Sequence, residues 1–180
     1  MKIQKTYTIE TENLLLRIPN ESDIPYIFSA TRVKGFNDGM QWNPPEKLTD
    51  LLAPLKHNHQ AWESGEGFGF TITKKGFSML IGRISIRKTS ETNVWNIGFW
   101  THPDAQNQGI MTEAVSGILR FGFEILEAVR IEACYAIWNK ASEKVMLKNG
   151  MKHVQFIEKG FQKNGKWISE NLMAITRNFS

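Results

Sequence analysis

The stretch from Val94 to Ile137 limits the possible folds more than any other part of the chain. An apolar run, Val94 to Trp100, leads into a polar, turn-rich segment, His102 to Gly109. A long amphipathic segment follows, Thr112 to Ala128, with Val115, Ile118, Leu119, Gly122 and Leu126 on one stripe. A second apolar run, Ile131 to Ile137, closes the unit. Two strands joined by a helical crossover must lie parallel. The segments before this unit read differently. Phe68 to Thr73, Met79 to Arg87 and Val94 to Trp100 are separated only by Lys74-Lys75-Gly76 and by Thr89 to Asn93, so they pair antiparallel. A sheet holding both patterns is mixed.

The rest of the chain fits around that sheet. Asn13 to Ile18 is a first strand. A helix follows it, capped by Asn20 or Ser22, with Asp23 and Pro25 in the first turn and Ile24, Ile27 and Phe28 as its apolar positions. Gly35 to Pro45 is a loop, and Leu48 to Trp62 has helical spacing that Pro54 is expected to kink or divide. A short helix opens at Asn139 or Ser142 and exits at Asn149-Gly150. Two last strands, Val154 to Phe161 and Trp167 to Arg177, turn at Asn164-Gly165. The expected architecture is an α/β domain over residues 1–180. Its mixed, mostly antiparallel sheet has about seven strands, with helices on both faces. No repeat or low-complexity linker divides it.

Composition narrows the function. At 41% hydrophobic and 22% charged, 180 residues are enough for a packed core without covalent staples. A single cysteine, Cys134, allows no disulfide within the chain and reads as buried core, which makes the reducing cytoplasm the expected location. Met1 to Thr8 has no apolar core, so no secretory signal is expected, and apolar runs such as Leu14-Leu15-Leu16 are too short to cross a membrane. His57 and His59 read as a surface pair, and nothing in the His and Cys spacing predicts a metal site. The net charge of +4 first means a solvated surface and second an anionic ligand; the scattered tryptophans and the lack of a Lys/Arg block argue against nucleic acid.

The chemistry concentrates in Pro103-Asp104-Ala105-Gln106-Asn107-Gln108-Gly109-Ile110-Met111-Thr112. A helix start carries unpaired N–H groups and the positive end of its dipole. A loop whose amides converge there can cradle a pyrophosphate, and Gly109 lets the backbone come close. The segment has neither the lysine of a P-loop nor a GxGxxG pattern, so its context must supply the specificity.

Several ordered segments supply it: Glu12-Asn13-Leu14-Leu15-Leu16-Arg17, Ile97-Gly98-Phe99-Trp100, Gln106-Asn107-Gln108-Gly109-Ile110-Met111, Thr112-Glu113-Ala114, Asn139-Lys140-Ala141-Ser142 and Lys148-Asn149-Gly150-Met151. Taken in this order they resemble the GCN5-related N-acetyltransferases, and within them the ribosomal-protein N-terminal acetyltransferases. The resemblance implies acetyl-CoA as acyl donor, with CoA as product. It implies that the pyrophosphate sits on amides from Gln106 through Asn107, Gln108, Gly109 and Ile110 to Met111, beside Thr112. It also implies that the strand ending at Trp100 splays from the strand of Ile131 to Trp138, so that the pantetheine arm enters the gap. A backbone N–H near Phe99, Trp100 or Thr101 then faces the thioester oxygen. Asn139 would bond the pantetheine arm. Ser142 would protonate the leaving thiolate in place of the tyrosine many members use. Glu158 is a candidate base. The loop departs from the usual form at Met111, where Gly or Ala is common, and that bulk is expected to crowd the phosphates.

Each role has a plainer counterpart. Asn139 or Ser142 also caps a helix, Glu158 also fits a solvated strand face, the Phe99 and Trp100 side chains fit core packing, and Glu113 fits a favourable first-turn charge. Three functions stay open: a protein N-terminal acetyltransferase, an acetyltransferase for a small amine such as a polyamine or antibiotic, and a CoA-binding module without catalysis. The acceptor groove falls to Gly35–Pro45, the Leu48–Trp62 helix and the 161–167 hairpin. Phe36 and Trp42 also suit a homodimer contact.

Overall fold

Among the described residues the chain folds into eight strands and four helices. The strands are β1 (Ile9–Glu10), β2 (Leu14–Arg17), β3 (Gly67–Lys74), β4 (Gly82–Lys88), β5 (Val94–Thr101), β6 (Arg130–Ala136), β7 (Lys152–Lys163) and β8 (Lys166–Thr176). The helices are α1 (Ile24–Thr31), α2 (Leu52–Ser64), α3 (Ile110–Glu124) and α4 (Lys140–Lys148). The computed structural model describes residues 2–177. All strands belong to one sheet in the order β1-β2-β3-β4-β5-β6-β8-β7. β5 and β6 pair parallel across the α3 crossover, and every other described pair is antiparallel.

Helices cover both faces. A side chain on Gly122 of α3 would meet Ile86 and Ile131, while one on Gly69 of β3 would meet Asn58 of α2. Phe68 and Ile86 are register partners, and Gly69 and Ser85 are the next pair along. Successive strand positions point to opposite faces, so α3 and α2 lie on opposite sides. The larger core gathers around α3. There Trp62 sits 5.1 Å and 5.0 Å from the rings of Phe68 and Phe70, and Phe121 sits 5.7 Å and 5.6 Å from the same two rings. Such edge-on pairs each add about 0.5–1.5 kcal/mol beyond the area they bury. A smaller cluster of Ile24, Ile27, Leu51, Leu55 and Leu80 packs α1 and α2 together.

The structure departs from the sequence reading at several boundaries. The eighth strand is β1, whose two residues are too few to show alternation. Pro54 does not divide α2: a 3-10 turn, Leu48–Leu51, precedes the helix, and Pro54 is its third residue, where no intrahelical donor is lost. α3 starts two residues before the expected Thr112 because Gly109 initiates it, and it stops at Glu124. Asn20, not Ser22, caps the first helical turn. His59 is not a surface group: it is half-buried and donates from Nε2 to the Pro19 carbonyl at 2.8 Å.

Two carboxylates tie helices to the sheet. Asp23 is 1% exposed; it takes 3.0 Å and 2.7 Å bonds from Arg17, 2.8 Å from Thr71 and 2.9 Å from the Asn20 amide. Glu113, in the first turn of α3, accepts from Thr11 Oγ1 at 2.5 Å, the Asn13 amide at 2.7 Å and Asn13 Nδ2 at 3.1 Å. Burial works to raise the Glu113 pKa, but the bonds from Thr11 and Asn13 outweigh it and hold the carboxyl below its ordinary value. A carboxyl depressed on folding contributes stability above its unfolded pKa and loses it as the pH falls through its folded one. Glu113→Gln should therefore cost about 1–2 kcal/mol at pH 7. Melting curves of both proteins should show that gap close as the pH is taken below 4; a gap independent of pH would refute an ionic role.

Candidate active site

The site begins where the sheet comes apart. β5 and β6 are in register only at Val94–Arg130, Trp95–Ile131 and Asn96–Glu132. Past that point each keeps its outer partner, β5 with β4 as far as Thr101 and β6 with β8 as far as Ala136. The expected splay is thus present. A cleft of about 930 Å³ fills the gap and takes its walls from both faces of the sheet.

One wall is the loop into α3. All residues from Gln106 to Thr112 line the cleft. Asn107 and Gly109 are left-handed, at φ 60° and 76°. The first helical bond of α3 runs from the Glu113 amide to the Gly109 carbonyl at 3.1 Å. The Ile110, Met111 and Thr112 amides therefore precede the first intrahelical acceptor, at the positive end of the helix. Met111 is 6% exposed and belongs to the core. Its side chain packs there, and the residue also borders the cleft.

The facing wall is α4 and the end of β6. Asn139 caps α4, its Oδ1 accepting from the Ser142 amide at 3.1 Å, and both Asn139 and Ser142 line the cleft. Phe99, Trp100 and Thr101 of β5 line it as well. Glu158 is not brought to this group. It is exposed on β7, and its carbonyl accepts from Ser169 Oγ at 2.8 Å.

Several lining residues were missed in the sequence. Lys140, Lys144 and Lys148 lie on one face of α4 and all border the cleft; their spacing of four was the available signal. Tyr135 lines it too. Its hydroxyl donates to Glu143 Oε1 at 2.7 Å and accepts from Asn171 Nδ2 at 3.2 Å, while His153 Nε2 lies 3.1 Å from the same Glu143 oxygen. Burial and the Glu143 bond push the Tyr135 pKa up to about 12. The bonds from Lys140 and Tyr135 hold Glu143 down to about 2. Cys134 is half-buried and lines the cleft, against the expectation of a fully buried core residue. Burial, then Glu170 and Glu132, raise its pKa to about 11, so it stays a thiol.

The far mouth is bordered by Gly35, Phe36, Gly39 and Met40. Lys163 at the tip of β7 donates to the carbonyls of Met40 at 2.9 Å and Trp42 at 2.7 Å, fastening this loop to the last hairpin. Phe36 stacks edge-on against Trp100 at 5.3 Å and Trp42 at 6.4 Å, so these aromatics have partners within the chain.

Comparison with known proteins settles the family. Residues 13–152 match the acetyltransferase (GNAT) domain family. The chain belongs to that family. It is an acetyltransferase, and acetyl-CoA is its acyl donor. It is 29% identical over 167 residues to the N-acetyltransferase YnaD of Bacillus subtilis, covering 93% of this chain and 95% of that protein. Its fold is similar to a candidate ribosomal-protein-serine acetyltransferase from Vibrio cholerae, with a TM-score of 0.85 at 21% identity over 97% of this chain and 100% of that one. It is also similar to RimL, a ribosomal L7/L12 α-N-protein acetyltransferase in complex with coenzyme A, with a TM-score of 0.85 at 18% identity over 94% and 98% of the two chains.

The residues present suit that donor. Free amides and a helix dipole at the α3 loop, with three lysines across the cleft, complement its phosphates. Gly109→Val tests the loop. A Cβ at Gly109 meets no atom within 4 Å, so only the left-handed backbone objects. A free loop that relaxes out of this conformation must regain it on binding, at about 1–2 kcal/mol, roughly a tenfold loss of affinity. Calorimetry should show weaker acetyl-CoA binding with the melting temperature of the free protein little changed; undiminished affinity would move the phosphates elsewhere.

Proposed function

We propose that this acetyltransferase transfers acetyl directly to a protein N-terminal α-amine, such as that of a ribosomal protein. The observation that carries the reading is the through-sheet cleft. One mouth is built from amides and lysines, and the other opens under the Gly35–Met40 loop. Among the described residues that line it, the charged ones are Lys140, Lys144 and Lys148, with no carboxylate. Such a lining disfavours a polycationic acceptor. The names of the similar RimL and Vibrio cholerae proteins add support for a ribosomal acceptor.

In this reading residues 1–180 act as one N-acetyltransferase domain. The amides from Gln106 to Met111, with Thr112 beside them, hold the pyrophosphate. Asn139 holds the pantetheine arm. A backbone N–H among Phe99 to Thr101 stabilises the developing oxyanion. The donor supplies an activated thioester; the chain supplies placement and proton management. Ser142, on the cleft side of α4, gives the departing sulfur its proton. Glu158, exposed and away from the cleft, is not assigned the base.

Ser142→Ala should lower kcat by about 10²-fold or more, in the range of general acid catalysis. Acetyl-CoA should still raise the melting temperature as it does for the wild type. Unchanged turnover would reduce Ser142 to its backbone bond with Asn139.

The acceptor is tested with peptides that carry both an α-amine and a lysine. An α-amine has a pKa of about 7.7–8.0 against about 10.4 for lysine, so more of it is neutral near pH 7. Mass spectrometry should find acetyl on the N-terminus, with the preference growing as pH falls. Acetylation mainly on lysine overturns the reading, and turnover of spermidine or an aminoglycoside without peptide turnover replaces it with a small-amine enzyme.

A further inference from the structure

Among the described residues the buried acids are Asp23 and Glu170, and they differ sharply. Asp23 is surrounded by donors from Arg17, Thr71 and Asn20. Glu170 is 6% exposed, yet its carboxylate makes no hydrogen bond or ion pair with any described residue. Its oxygens keep a little contact with solvent, and partly desolvated acids of this kind collect at functional sites.

Its position is specific. Glu170 on β8 is the register partner of Ala136 on β6, and Leu172 is the partner of Cys134. Partners share a face, so Glu170, Ala136 and Cys134 lie on the same side of the sheet. That side is the acceptor side: a Cβ on Gly39, in the loop of the far mouth, would lie 3.8 Å from the Ala136 Cβ. The thiol of Cys134, which lines the cleft, is close enough to feel the Glu170 charge. The chain also makes room for this acid. The β7–β8 register shifts between Ile157 and Phe161, and the shifted segment places Gly160 against Glu170. Any Cβ at residue 160 would fall 2.5 Å from Glu170 Oε2 and 2.6 Å from its Cγ.

We infer that Glu170 is the proton acceptor for the incoming amine, reached directly or through one water. The assignment rests on the acetyltransferase reading above and names a residue for its unassigned step. An ammonium N–H bond breaks and an O–H bond forms on Glu170. The freed lone pair makes the C–N bond as the C–S bond breaks. Ser142 gives its proton to the sulfur and takes the second amine proton in return, and the Glu170 proton returns to solvent. Burial raises the Glu170 pKa, towards the range where a carboxylate serves as base. Of the titratable groups on the elements packed against it, Cys134 on β6 is the one that senses its charge, and burial is what acts on Glu170 itself.

The experiment is the pH dependence of kcat/KM for wild type, Glu170→Gln and Glu170→Asp, with whichever acceptor the wild type uses. Because the acceptor is chosen by the wild type, a small-amine outcome refutes the N-terminal reading without touching Glu170. Glu170→Gln should lose about 10²-fold or more in kcat/KM. It should also lose the acid-side rise that belongs to the carboxylate, while acetyl-CoA still shifts its melting temperature. Glu170→Asp should recover part of the rate. Gly160→Ala, which keeps the acid but pushes its side chain aside, should lower kcat in the same direction. Wild-type turnover and an unaltered pH profile in Glu170→Gln would overturn the assignment, and so would a loss confined to stability.

Discussion

β5 and β6 share three register pairs, Val94–Arg130 to Asn96–Glu132, and then separate. A sheet opened in its middle leaves backbone donors and acceptors without strand partners, which is ordinarily costly. Two features hold the opening. Outside it, β4 and β8 continue to pair with the splayed strands to their ends. Across it, α3 spans both halves: Gly122 sits so close to Ile86 of β4 and Ile131 of β6 that a Cβ would lie 2.9 Å and 2.6 Å from their side chains. The close approach needs glycine. It lets one helix grip both halves while leaving the C-terminal ends of β5 and β6 apart. An extended ligand arm in that gap would meet backbone groups as a strand does.

The electrostatics follow from the same geometry. α3 must begin at the open ends of the strands, so its dipole and free amides point into the gap. Its first-turn acid, Glu113, would oppose an anion there, but its carboxylate is turned to Thr11 and Asn13 of the opening strand segment. Across the gap, Lys140, Lys144 and Lys148 add cationic charge. The acceptor side has no lining carboxylate among the described residues. Glu170 does not itself border the cleft; it lies on the Cys134 side of the sheet, beside Ala136.

Much of the fold was legible because it is written locally. Apolar periodicity marked β5, α3 and β6, and Gly109 marked the loop between them. The loop, Asn139 and Ser142 were found as candidate residues through the resemblance of the ordered segments to the acetyltransferase family. What was missed depends on long-range pairing. β1 exists only because Glu10 and Ile9 find Leu15 and Leu16. Choosing between Glu158 and Glu170 needs the β7–β8 register and its bulge, and no local pattern encodes a bulge. Cys134 looked like core because every second residue of an apolar strand does, but the splay leaves its side of β6 open. His59 reads as exposed until Pro19 is known to lie beside it.

Tyr135 shows how the site keeps its shape while protons move. Its hydroxyl proton is committed to Glu143, which is also bonded to Lys140 and approached by His153. A tyrosine held this way is a poor proton donor to sulfur. What Tyr135 does instead is fasten α4 to β6, fixing the direction in which Asn139, Ser142 and Lys144 face. Glu143 is ionised down to about pH 2, and Tyr135 keeps its proton up to about pH 12. Depressing an acid on folding withdraws its contribution only as pH falls through the folded pKa, and the raised tyrosine loses its contribution only well above neutrality. The Tyr135–Glu143 bond therefore keeps its proton arrangement between those limits.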